Sequence, residues 1–172
     1  MDKRVHGGEG IALVECINPR YKKYRVRWDV HPYLDEDGNQ QGVTFIEAEF
    51  LHKPTMTEVK DAILGWMNKK IDEKIVSGFE WNGMSVWLST ENQFNYKAAY
   101  DLAVQTNGAN LPLMFKFGST ENPQYYTFKQ LDELTDLYFK AMEYINTQLA
   151  IGWFEKDSIN WEPYMAALEN VA

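Results

Sequence analysis

The chain has a single cysteine, Cys16, among 172 residues, and nowhere a run of about 18 apolar residues, the length that would suggest a bilayer span. One cysteine cannot build a disulfide framework or a multi-cysteine zinc site, which fits a reducing compartment. The opening MDKRVHGGEG carries charge without the apolar stretch of a signal peptide. The expectation is a soluble protein with no signal-directed secretion and no membrane partner. Positive charge is also in deficit: 17 Lys and Arg stand against 25 Asp and Glu, a formal net charge of -8. Nucleic acid and anionic lipid both reward a basic field, so neither is expected as a partner. What is abundant is aromatic, at 15% of residues within a hydrophobic content of 45%. That suffices for one or two small domains with a real core, and aromatics also stock protein interfaces.

Hydrophobic patterning predicts an α+β chain. Ile11–Ile17, Asn18-Pro19-Arg20 and Lys22–Val30 read as strand, turn and strand, with Tyr24, Val26, Trp28 and Val30 alternating against Lys23, Arg25, Arg27 and Asp29. A third strand over Val43–Leu51 follows the polar loop Pro32–Gly42 and sets Glu47 and Glu49 beside Arg25 and Arg27. Thr55-Met56-Thr57-Glu58 offers a capping box to a helix whose stripe is Val59, Ile63, Met67, Ile71 and Ile75. The division between an N-terminal three-stranded unit, residues 1–53, and an α+β remainder, 54–172, is expected near His52–Thr55.

FEWNGMSVWL, residues 79–88, carries the most specific turn signal. Asn82-Gly83 at the centre of a type I′ turn places Trp81 opposite Met84 and Phe79 opposite Val86. Phe79, Trp81, Met84, Val86 and Leu88 then share one face, and Trp87 stands on the other beside Glu80 and Ser85. A second helix is expected after Ser89 or Thr90, with Gln93 at the capping-box position and a stripe of Phe94, Ala98 and Leu102 backed by Ala99 and Ala103, stopping at Asn107-Gly108. A hairpin from Leu113–Phe117 to Tyr125-Tyr126 and a long helix opening at Thr127 with Gln130 as its box residue follow. Ser-Thr-Glu-Asn occurs at 89–92 and again at 119–122, read once as a cap and once as a loop. The tail from Gly152, with Trp153, Phe154, Trp161 and Tyr164, reads as irregular and aromatic, packing back or docking on a neighbour.

The chemistry that these residues could carry is thin. Asp35-Glu36-Asp37-Gly38-Asn39 has its glycine at the fourth position and Ile46 at the twelfth, where a calcium loop needs the sixth and a glutamate, so it reads as an acidic hairpin loop. His6, His31 and His52 lack ligand spacing. Gly7-Gly8-Glu9-Gly10 lacks the lysine and preceding strand of a phosphate loop and reads as a flexible arm. Arg20–Trp28 interleaves aromatic and basic residues as a single-strand platform would, but alternation sends Tyr24 and Trp28 away from Arg25 and Arg27. Asp132, Glu133 and Asp136 read as a solvated helix face. No nucleophile elbow or catalytic pairing appears, so no catalytic residue, metal site or cofactor is assigned.

Residues 57–160 resemble a domain of unknown function that recurs in tail-associated proteins of bacteriophages and prophages. The resemblance runs through Trp81-Asn82-Gly83-Met84, the polar helix start Ser89-Thr90-Glu91-Asn92-Gln93, a short helix over Asn95–Gln105, the strand pair Met114–Phe117 and Tyr125–Phe128, and a long helix over Lys129–Ala150. The N-terminal strands have no counterpart in it, and Gly-Ser-Thr-Glu-Asn-Pro replaces a shorter turn. It implies a noncatalytic structural or assembly role in a virion or its host's cytoplasm, with other tail or baseplate subunits, or further copies of this chain, as partners. A small glycan- or peptide-binding module using exposed aromatics is the alternative. Trp87, Trp153, Trp161 and Tyr164 are the expected contact residues.

Overall fold

The computed structural model describes residues 4–171, and the chain is α+β. Its contacts divide it into two compact units, one of residues 4–68 with 156–171 and the other Lys69–Glu155. This partition differs from the one expected near residue 54, because it cuts within helices and not at a loop.

The first unit opens with four strands, β1 (Val5–Gly7), β2 (Val14–Asn18), β3 (Lys23–Leu34) and β4 (Gln40–Phe50), in an antiparallel sheet of order β1-β4-β3-β2. The sheet therefore has four strands where three were expected. The fourth, β1, meets the segment read as a flexible arm only at Gly7: Val5 pairs with Phe45 and Gly7 with Val43. Its glycine serves close approach, since a Cβ on Gly7 would lie 2.8 Å from Phe45 Cε1. β3 and β4 also run further than expected, leaving only 35–39 as loop, with Pro32 opposite Val43 just past a register shift.

Cross-strand register in this sheet is as the alternation required. Arg25 pairs with Glu49 and Arg27 with Glu47, and Arg25 donates to Glu49 at 2.7 Å. Tyr24, Val26 and Trp28 are buried on the other face. There Val26 and Trp28 pack with Val59 and Ile63 of α1 (Met56–Ser77) and Tyr164 of α4 (Glu162–Asn170). Arg27 is itself buried, donating to Ala12 O at 2.9 Å and Glu15 Oε2 at 2.6 Å, with the Phe45 ring 5.3 Å away. The basic stripe is thus a structural ion-pair ladder.

The second unit holds β5 (Phe79–Trp81), β6 (Met84–Val86), α2 (Thr90–Gln105), β7 (Leu113–Gly118), β8 (Pro123–Phe128) and most of α3 (Leu131–Asp157). Phe79, Trp81, Val86, Leu88, Tyr96, Phe117, Phe128, Leu134 and Leu137 form its core. α3 begins four residues later than Thr127, which lies in β8. Its first turn is closed by Glu133, whose Oε2 accepts from the Lys129 and Gln130 amides at 2.9 and 3.2 Å. That carboxylate does the work expected of a capping box at Gln130. The tail is not irregular: α3 continues to Asp157 and α4 follows. It does pack back, with Ile159, Trp161, Tyr164, Ala167 and Leu168 against the first unit's core.

Candidate functional site

The hairpin β5–β6 has the register that its turn dictates: Phe79 pairs with Val86, Glu80 with Ser85 and Trp81 with Met84. Asn82 and Gly83 take φ of 50° and 75°, the two positive values of a type I′ turn. The faces separate as a period-two strand requires. Trp81 is 2% exposed and stacks on Phe128 with ring centroids 5.3 Å apart. Trp87, just past β6 on the opposite face, is 54% exposed.

The backbone under Trp87 is held firmly. Its carbonyl accepts from Asn92 Nδ2 at 2.8 Å, the Leu88 carbonyl accepts from Gln93 Nε2 at 2.7 Å, and the Leu88 amide donates to Val76 O at 2.8 Å. Ser89 is the N-cap of α2, its Oγ accepting from the Asn92 amide at 3.3 Å. Gln93 therefore reaches back to a carbonyl and does not complete a capping box. The second Ser-Thr-Glu-Asn makes the same local bond, with Ser119 Oγ accepting from the Asn122 amide at 3.0 Å. One tetrapeptide thus closes the same turn twice, once leading into a helix and once linking β7 to β8.

Between the β5–β6 hairpin and the second of these turns lies an open cleft of about 650 Å³. Trp87, Glu80 and Ser85 line it from the hairpin, and Ser119, Asn122 and Gln124 from β8 and the loop before it. The indole is its one large apolar wall. No Lys, Arg or His is among the lining residues.

The other expected contact residues lie elsewhere. Trp153 is 60% exposed on α3 and does not line the cleft. Trp161 and Tyr164 belong to the first unit. Trp161 is half-buried, with Lys60 Nζ 5.5 Å from its ring. Tyr164 is 8% exposed and donates its hydroxyl to Arg27 O at 3.1 Å. Burial, with the Asp29 charge as a smaller contribution, pushes its pKa up to about 12. Within this chain Tyr164 is a core residue.

One exposed apolar surface was not anticipated. The buried face of α2 is Tyr96 and Ala103, with Ala99 and Tyr100 partly buried; Ala99 and Ala103 were expected there, whereas Phe94, Ala98 and Leu102 of the expected stripe are exposed. Phe94 is 70% exposed and, with Tyr138 and Met142 of α3, lines a groove of about 250 Å³. The signal was in the sequence: positions 96, 99, 100 and 103 are spaced as i, i+3, i+4 and i+7, and counting tyrosine rings as apolar selects that face.

The remaining ionisable groups sit in local structures. Asp35 accepts from the Asp37 and Asn39 amides at 3.0 and 2.8 Å and from Gln41 Nε2 at 2.8 Å. These bonds, the Asn39 amide first, hold its carboxyl below the ordinary range. His6 meets the Tyr33 ring, His31 Nε2 lies 3.0 Å from Asp29 Oδ1, and His52 Nε2 lies 2.7 Å from Glu58 Oε1. Among the described residues, no three or more His, Cys, Asp or Glu side chains gather as a metal site, and no helix is long and apolar enough to cross a membrane. Neither a family model, nor a curated protein, nor a solved structure matches the chain.

Proposed function

We propose that the chain is a noncatalytic structural or assembly component of a phage or prophage tail or baseplate, acting through contacts with neighbouring subunits or with copies of itself. The observation that carries this reading is Trp87, a large aromatic left exposed on a backbone pinned from three directions. Aromatics of this kind concentrate binding energy when a partner desolvates them, and a rigid support lowers the ordering cost. Trp153 and Phe94 add exposed aromatic surface in the same unit. The resemblance over residues 57–160 supports the phage assignment and a location in the virion or the host cytoplasm. In co-expression with the proteins encoded beside it, Trp87→Ala should cut assembly sharply while leaving the melting temperature nearly unchanged. Undiminished assembly, or a large loss of melting temperature, would count against this role.

The cleft itself favours a second reading, a small binding module for a glycan or a peptide. Its polar lining next to a single indole is the specific observation behind it.

A further inference from the structure

We propose that the cleft beside Trp87 is a subsite for a neutral pyranose ring, with the indole as its stacking platform. This rests on the second reading above and specifies its ligand.

A pyranose presents a face of C–H bonds and a rim of hydroxyls that both donate and accept. The C–H face carries partial positive charge and matches the negative face of an indole. The rim needs donors and acceptors in mixed order, and the lining supplies them. Ser77 gives its proton to Glu73 O at 2.7 Å, so its oxygen is left to accept. Ser119 accepts from the Asn122 amide, so its O–H is left to donate. The side-chain carboxamides of Asn122 and Gln124 can do either, and Glu80 accepts. The cleft's volume falls within the roughly 300–1,000 Å³ usual for small-ligand sites.

Other ligand classes fit less well. An anion would find no cationic side chain among the lining residues. A peptide read by its side chains needs apolar pockets, and Trp87 is the one large apolar residue here. A cationic peptide group could sit over the indole beside Glu80, and the test separates that case.

The intact chain would be screened on an array of neutral glycans, and the best trisaccharide titrated by tryptophan fluorescence and saturation-transfer NMR. The expected result is saturable binding, insensitive to added NaCl and surviving Glu80→Gln. Trp87→Ala should weaken it roughly tenfold to a hundredfold, as truncation does for other stacking platforms, at an unchanged melting temperature. Three results would overturn the proposal: no neutral glycan binding, equal affinity in Trp87→Ala, or binding only of a lysine-containing peptide that is lost with salt and with Glu80→Gln. The last would keep a binding module and remove the sugar. None of the three bears on the co-expression test of tail assembly.

Discussion

The indole Nε1–H of Trp81 donates to Asp136 Oδ2 at 2.9 Å, and the same oxygen accepts from Lys140 Nζ at 2.8 Å. A carboxylate that sequence assigned to a solvated helix face thereby closes the one polar atom of a core tryptophan. Asp136→Ala should leave that N–H unsatisfied in a buried residue, costing about 1–3 kcal/mol. Thermal unfolding at neutral pH measures it. Lys140, and then Trp81, hold the carboxyl below the ordinary Asp value of 3.8. The stabilisation is therefore complete above that value and is lost as pH falls through the lower folded one. The variant should lack that component of acid destabilisation.

Thr55 and Glu58 form the capping box that opens α1. Glu58 Oε2 accepts from the Thr55 amide and hydroxyl at 2.8 and 2.9 Å, and Thr55 Oγ1 accepts from the Glu58 amide at 3.3 Å. The Thr55 bonds first, and then His52, lower the Glu58 pKa from 4.5 to about 2. A depressed carboxylate stabilises above its unfolded value, so this contribution should persist above pH 4.5 and fade as pH drops toward 2. Thr55→Ala should cost about 1 kcal/mol at neutral pH. Denaturant unfolding of both proteins between acid and neutral pH checks the pair.

Gly152 of α3 packs on Ile71 of α1. A Cβ at that position would fall 2.7 Å from Ile71 Cγ1 and nearer still to Cδ1. Gly152→Ala should therefore destabilise despite alanine's better helix propensity, by about 1–3 kcal/mol of overpacking. Pairing it with Ile71→Val should recover part of the loss, which a double-mutant cycle would read.

Trp87 and Tyr164 should behave oppositely. Trp87→Ala removes an exposed ring and is expected to change stability by no more than about 0.5 kcal/mol. Tyr164→Ala removes a buried ring and is expected to cost about 3–5 kcal/mol, while Tyr164→Phe loses only the bond to Arg27 O, about 1 kcal/mol. Parallel melts of the three variants decide it. A cooperative fold with native stability in Tyr164→Ala would show the ring to be dispensable.

Features set by local geometry were legible in the sequence. The β5–β6 register followed from Asn82-Gly83, the Arg25–Glu49 and Arg27–Glu47 pairings from period-two alternation, and the start of α1 from its capping box. Each depends on residues within a turn or on the pleat of adjacent strands. The exposure of Trp87 was legible for the same reason, since the turn fixes which way each hairpin side chain points.

Other features depended on distant partners. β1 exists because β4 leaves an edge that a glycine-rich segment can approach closely. The buried face of α2 and the ordered tail depend on what each packs against, which composition does not reveal. Tyr164 is the clearest case, a tail aromatic whose hydroxyl finds the Arg27 carbonyl 137 residues away in sequence.

By itself, then, the sequence determined the α+β class, the hairpin faces and the placement of Trp87 on an outer surface, because backbone periodicity and turn stereochemistry act over a few residues. Tertiary structure alone decided that the second Ser-Thr-Glu-Asn turn lines a cleft with Trp87, and that Tyr164 is core. A side chain's burial and its neighbours are properties of packed surfaces from separate parts of the chain, and only folding brings those surfaces together.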